Sequence, residues 1–80
     1  MKARVIVTLK SGVLDPQGKA IEGALKGLAI DGLKSVRQGK IFDIEIDGGE
    51  DQAATHRRLS EACERLLANT IVENYAIEIG

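Results

Sequence analysis

Along the 80 residues of the chain, the spacing of apolar side chains switches from two to about 3.6 and back, twice over. "ARVIVTL" alternates, with Ala3, Val5, Val7 and Leu9 on one face and Arg4, Ile6 and Thr8 on the other, which predicts a strand with a half-apolar second face. "GVLDPQGKAIEGAL" then opens a helix. Asp15 precedes Pro16, so its backbone is steered from the helical region into the conformation of an N-cap, while Pro16 takes the first helical position, where a missing N–H costs nothing. Ile21, Ala24, Leu25 and Leu28 form a stripe that should face a core, and Gly32 can adopt the left-handed conformation that ends the helix. A second alternating run, "KSVRQGKIFDIEID", sets Val36, Phe42, Ile44 and Ile46 against Arg37, Asp43, Glu45 and Asp47. Gly39 interrupts it, as a bulge in one long strand or as the turn between two.

After a loop at "DGGED", a helix from about Gln52 to Ala68 should bury Leu59, Ala62, Cys63, Leu66 and Leu67. Arg57 with Glu61, and Glu61 with Arg65, are spaced for outer-face ion pairs, and Asn69 is placed to cap the helix in the left-handed conformation. "IVENYAIEI" reads as a last strand with Ile71, Tyr75, Ile77 and Ile79 inward. This order predicts an α+β fold: one domain over residues 1–80, with two helices packed on one face of a largely antiparallel, three- to four-stranded sheet. The opposite face would carry Arg4, Ile6, Thr8, Val72 and Ala76, an apolar patch that a monomer should not leave bare. A chain this short buries only about 60% of its unfolded surface. A homodimer that covers this face or pairs a sheet edge is therefore expected.

Eleven basic and 12 acidic residues, interspersed for a net charge of −1, lack the basic footprint of a nucleic-acid binder. No segment approaches the roughly 18 apolar residues of a membrane-spanning helix, and the apolar-rich run before Lys10 is too short for a secretory signal. The single cysteine, Cys63, fits a reducing compartment, so a cytoplasmic protein is expected.

The chain is poor in the groups that do chemistry. His56 and Cys63, the one histidine and the one thiol, lie two helical turns apart and so cannot form a nucleophile and base pair. Cys63 reads as a small core residue, and metal ligation would need more such groups. Arg37 and Lys40 flank Gly39 and could receive a phosphate, yet the stretch lacks the glycine spacing of a P-loop. Gly23 and Gly27, four apart on the first helix, either weaken it or mark a contact surface. No catalytic, cofactor-binding or metal-binding residue is assigned.

Three stretches carry a family resemblance: "VTLKSGVLDPQGKAIEGAL", "VRQGKIFDIEID" and "CERLLANTIVENYAIEI". Together they resemble the PurS family, the small subunit of phosphoribosylformylglycinamidine synthase, from end to end. The resemblance implies a homodimeric or higher-order subunit that joins a large synthetase subunit (PurL) to a glutaminase subunit (PurQ). In that complex formylglycinamide ribonucleotide becomes formylglycinamidine ribonucleotide, with ATP, Mg2+ and glutamine used by the complex and no cofactor bound by the small subunit. It also implies a role in ammonia transfer. Carried onto this sequence, the interface residues are Leu14, Asp15, Pro16, Gln17 and Gly18 from the first stretch. Arg37, Gly39 and Lys40 come from the second, and Asn69, Thr70, Glu73 and Tyr75 from the third. A different class, a ferredoxin-like regulatory domain that binds a small molecule between paired modules, is the alternative for the same layout. A ligand-induced rise in melting temperature would distinguish it.

Overall fold

A computed structural model describes residues 1–47 and 51–80, so of the expected "DGGED" loop only Asp47 and Asp51 lie within the described residues. Its elements are β1 (Lys2–Leu9), α1 (Pro16–Gly27), β2 (Gly39–Glu45), α2 (Gln52–Ala62), a π-helical turn at Cys63–Leu67, and β3 (Glu73–Ile79). The strands form one sheet in the order β2-β1-β3, antiparallel throughout. Val5 stands between Phe42 and Ile77, and Ile6 between Ile41 and Ala76. The α+β architecture of two helices and an antiparallel sheet is thus the one expected.

The odd-numbered residues of β1 face the core, as their alternation requires. Val5 and Val7 are fully buried with Cys63, and Phe42, Ile44, Leu67, Tyr75 and Ile77 pack around them. α2 lies over the β3 side of this face. Asp51 caps it, its carboxylate accepting from the Ala54 amide at 2.7 Å. On its outer face Arg65 reaches Glu61 at 2.8 Å, one of the two expected pairs. The other sheet face is more polar than the sequence suggests, because Val72 precedes β3 and lies outside the sheet. One apolar row, Ile41, Ile6 and Ala76, sits beside the Arg4–Asp43 ion pair at 2.9 Å.

Four expectations are corrected. First, α1 does not pack its apolar stripe on this chain's sheet. Ile21 and Leu28 are 40% and 71% exposed, Leu25 is only half-buried, and the buried residues of α1 are Gly18 and Glu22, neither of them in the stripe. The helix and the returning segment stand off as an arm, giving a radius of gyration of 16.1 Å where a compact chain of this size would have about 12 Å. Second, α1 stops before Gly32. Leu28 is the C-cap, and Ala29 takes the left-handed conformation at φ 62°. The Ala29 and Ile30 amides donate to the Lys26 and Leu25 carbonyls, the paired bonds of a Schellman ending.

Third, the second helix changes pitch after Ala62. The Ala68 amide donates to the Cys63 carbonyl at 3.0 Å, five residues back, and the wider turn rotates Leu66 out to 82% exposure while bringing Ala68 inside. Asn69 is consequently no left-handed cap. Its side chain accepts from the Ile71 amide and its carbonyl from the amides of Val72 and Glu73, a tight turn that leaves Ile71 83% exposed instead of inward. Fourth, Gly39 is neither bulge nor hairpin turn: it is the first residue of β2, opposite Thr8. A Cβ there would stand 2.6 Å from the Val7 carbonyl oxygen, so glycine is required by close approach to β1.

Ala29 is the one described non-glycine residue at positive φ. Because that conformation costs an L-residue about 1–2 kcal/mol, offset in part by glycine's greater unfolded-state freedom, Ala29→Gly should stabilise the chain by about 0.5–1 kcal/mol. Urea midpoints at one protein concentration check this, and an unchanged or lower midpoint would contradict it.

Candidate functional site

The polar groups of the three singled-out stretches meet at one end of the sheet, where β1 finishes and β2 and β3 begin. The turn out of β1 lifts the chain into α1, and Asp15 stands at the junction, only 6% exposed. Its Oδ1 accepts from the Gly18 amide at 2.9 Å, the local bond of an N-cap. Its Oδ2 accepts from the Gln38 amide at 2.7 Å, which ties the helix start to the chain just before β2. These two amides, Gln38 first, hold the Asp15 carboxyl below the ordinary aspartate range against the opposing effect of burial. Gly18 completes the joint, because a Cβ there would run into the Val36 carbonyl oxygen.

Arg37 closes the same joint from the other side. Its Nη2 donates to the carbonyls of Lys10 and Val13, both at 3.0 Å, so the guanidinium clasps the β1–α1 connection. Lys40 points the other way, 3.7 Å from Glu73 Oε2, and Glu73 Oε1 accepts from the Asn69 amide at 2.7 Å. Next along β3, the Tyr75 hydroxyl donates to Glu64 Oε1 at 3.0 Å, and that bond is the main cause of its raised pKa.

Five of the interface residues expected from sequence, Asp15, Gln17, Gly39, Lys40 and Glu73, line one cleft of about 200 Å³ with Val7, Leu9 and Gln38. Thr70 and Tyr75 border a neighbouring recess with Glu73. Pro16 is the first residue of α1, and Leu14 points away, 69% exposed. Sequence reasoning missed Gln38 and Glu64. The first acts through its backbone amide and leaves no side-chain signal; the second finds Tyr75 only through the π-helical turn.

Chemically the arrangement is an architectural joint. Both Asp15 oxygens are occupied by amides, and Arg37 is spent on carbonyls. Lys40 and Glu73 neutralise each other. Elsewhere, burial pushes the Cys63 thiol up, away from a reactive thiolate. His56 is exposed on α2, its Nδ1 3.4 Å from Ser60 Oγ. Among the described residues there is no group of three side chains that could hold a metal.

The joint makes a graded prediction. Asp15→Asn keeps a competent cap but has one acceptor oxygen, so one amide must be given up; Asp15→Ala releases both. Urea midpoints at pH 7 should fall in the order wild type, Asn, Ala. Asp51→Ala, which frees one local amide, should cost about 1 kcal/mol and less than Asp15→Ala. Because the folded pKa of Asp15 is lowered, its contribution is present above the ordinary aspartate value of about 3.9 and is lost as pH falls through the folded value. The gap between wild type and Asp15→Asn should therefore close at acid pH; a gap that stays constant would refute the carboxylate bridge.

Comparison with known proteins extends over the whole fold. Residues 2–80 match the family described as PurS, phosphoribosylformylglycinamidine (FGAM) synthase. The Mycobacterium leprae phosphoribosylformylglycinamidine synthase subunit PurS is 46% identical over 76 residues, covering 95% of this chain and 91% of its own length. The crystal structure of Methanocaldococcus jannaschii PurS, one of the subunits of formylglycinamide ribonucleotide amidotransferase, superposes with a TM-score of 0.87 at 38% identity, over 96% of this chain and 92% of that one. A chain of the Thermotoga maritima PurLQS structure does so with a TM-score of 0.86 at 32% identity, over 96% and 93%. By sequence and by fold, the chain belongs to the PurS family.

Proposed function

We infer that this chain is the small, non-catalytic subunit of a phosphoribosylformylglycinamidine synthase, acting in purine biosynthesis as a dimer that bridges a synthetase subunit and a glutaminase subunit. The observation that carries the reading is the end-to-end match to PurS proteins, one of them a chain of a PurLQS structure. The geometry supports it. Asp15, Arg37, Lys40 and Glu73 are engaged within the chain, while large apolar side chains, Leu14, Ile21, Leu28, Leu66 and Ile71 among them, stand exposed. A surface of this kind serves binding.

In this reading ATP, Mg2+ and glutamine are used by the other subunits, and the small subunit holds two active sites in register so that ammonia passes between them. Keeping water from that route keeps the ammonia from being protonated or lost. No helix among the described residues is long and apolar enough to cross a membrane, and we place the subunit with its partners in the cytoplasm.

The test is reconstitution of the synthetase and glutaminase subunits with and without this chain. Glutamine-driven turnover should require it, whereas turnover driven by added ammonium should not. If glutamine-driven turnover proceeds equally well without it, the bridging role is wrong.

A further inference from the structure

Beyond the Schellman ending of α1 the chain loses its hydrogen-bonded frame. The Ile30 amide still donates to the Leu25 carbonyl. From Asp31 to Gln38 there is neither helix nor strand, and every residue except Val36 is exposed. Here Asp31 is followed by Gly32, which sits at φ 88° with open space where a Cβ would stand. Among the described residues, none accepts a hydrogen bond from the Gly32 amide and none pairs with the Asp31 carboxylate.

That combination suits one reaction of the chain with itself. The nitrogen of the residue after an aspartate attacks its Cγ and closes a succinimide ring: a C–N bond forms, and the carboxyl hydroxyl leaves with the amide hydrogen as water. Hydrolysis returns the water at one of the two ring carbonyls. Cleavage of the new N–Cγ bond restores aspartate. Cleavage of the original peptide bond leaves the backbone running through Cγ, an isoaspartyl residue with a free α-carboxylate. Water is the only co-reactant, and ring closure needs an unbonded nitrogen, little crowding from the residue that carries it, and a side chain free to turn.

The other candidate positions fail on these counts. Asp15 is followed by Pro16, whose nitrogen has no hydrogen to give up, and both its oxygens are held by amides. Asp43 and Asn74 lie within strands, and Asp43 is paired with Arg4. Asp51 caps α2. The Asn69 side chain accepts from the Ile71 amide, and the Thr70 that follows it is β-branched. Asp47 precedes Gly48, which lies outside the described residues.

We propose that Asp31–Gly32 is a site of spontaneous isoaspartate formation in the folded protein. The product is an exposed substrate for the class of enzyme that methylates isoaspartyl α-carboxylates from S-adenosylmethionine. It also inserts one carbon into the backbone where the arm turns back toward β2, at the end of α1 remote from the Asp15 joint. The site is independent of the bridging role inferred above.

The experiment ages the full native chain at physiological temperature and neutral pH. Isoaspartate is located by peptide mapping and totalled by methyl transfer from labelled S-adenosylmethionine with an isoaspartyl methyltransferase. A synthetic peptide of residues 26–36 gives the rate without the fold. Asp31 in the folded chain should react within about threefold of that peptide, because exposed, unbonded backbone needs no unfolding to open. Asn69, where the same ring closure expels ammonia in place of water, should react about tenfold or more slowly in the folded chain than in its own peptide. Asp31→Glu, which cannot close the five-membered ring, should lower the total methyl acceptance by the share mapped to Asp31 and leave the melting temperature unchanged. Reaction at Asp31 tenfold or more below the peptide rate, or isoaspartate confined to Asp47, overturns the proposal. So does a methyl acceptance that Asp31→Glu fails to lower.

Discussion

The Asp15 carboxylate is the hinge pin of this fold. A helix projecting from the end of a sheet must be fixed at its base, and here one side chain holds both ends of the excursion: the first turn of α1 and the chain that returns to β2. Arg37 supplies the reciprocal clasp, from the returning strand to the outgoing connection. Gly18 is small because the returning chain passes close at Val36, and Gly39 because β1 passes close at Val7. "LDPQG" and "VRQGK", which look like separate motifs in the sequence, are two halves of one joint.

That arrangement explains which parts of the structure could be read from the residues. The N-cap at Asp15 and the proline behind it were legible because they act on the next three residues. The amide of Gln38 was not, since a backbone donor 23 positions away leaves no trace in side-chain chemistry. Strand alternation placed Val5, Val7, Phe42 and Ile77 correctly, because a period of two admits one inward set. The stripe on α1 was misread as core-facing, because periodicity marks an apolar face and does not tell whether this chain's own sheet lies beneath it. The π-helical turn defeated the projection of Leu66 and Asn69 for a different reason. One extra residue in a turn shifts everything after it, and nothing in "CERLL" announces the insertion.

The family assignment was legible in the same stretches, and several of their residues also have an internal role that the sequence did not show. Asp15, Gly18, Arg37 and Gly39 shape the joint from within. Residues that look outward, such as Leu14 and Leu28, are ordinary leucines whose importance shows only in their exposure. Within this chain the polar motif builds the frame, and large apolar side chains are what that frame displays.

The position of β1 in the sheet has a kinetic consequence. As the central strand it is tied on both sides, yet neither partner is near it in the chain: Thr8 meets Gly39, and Ala3 meets Ile79. No hairpin can nucleate such a sheet, because every ladder must first close a long loop and meet that entropy before any hydrogen bond rewards it. The helices, which need only local contacts, can flicker into existence well before the strands find one another. During that interval the β1 edge, "VIVTL", is apolar and unpaired. Slow closure therefore makes the nascent sheet, and not the finished one, the point at which this chain is most exposed to aggregation.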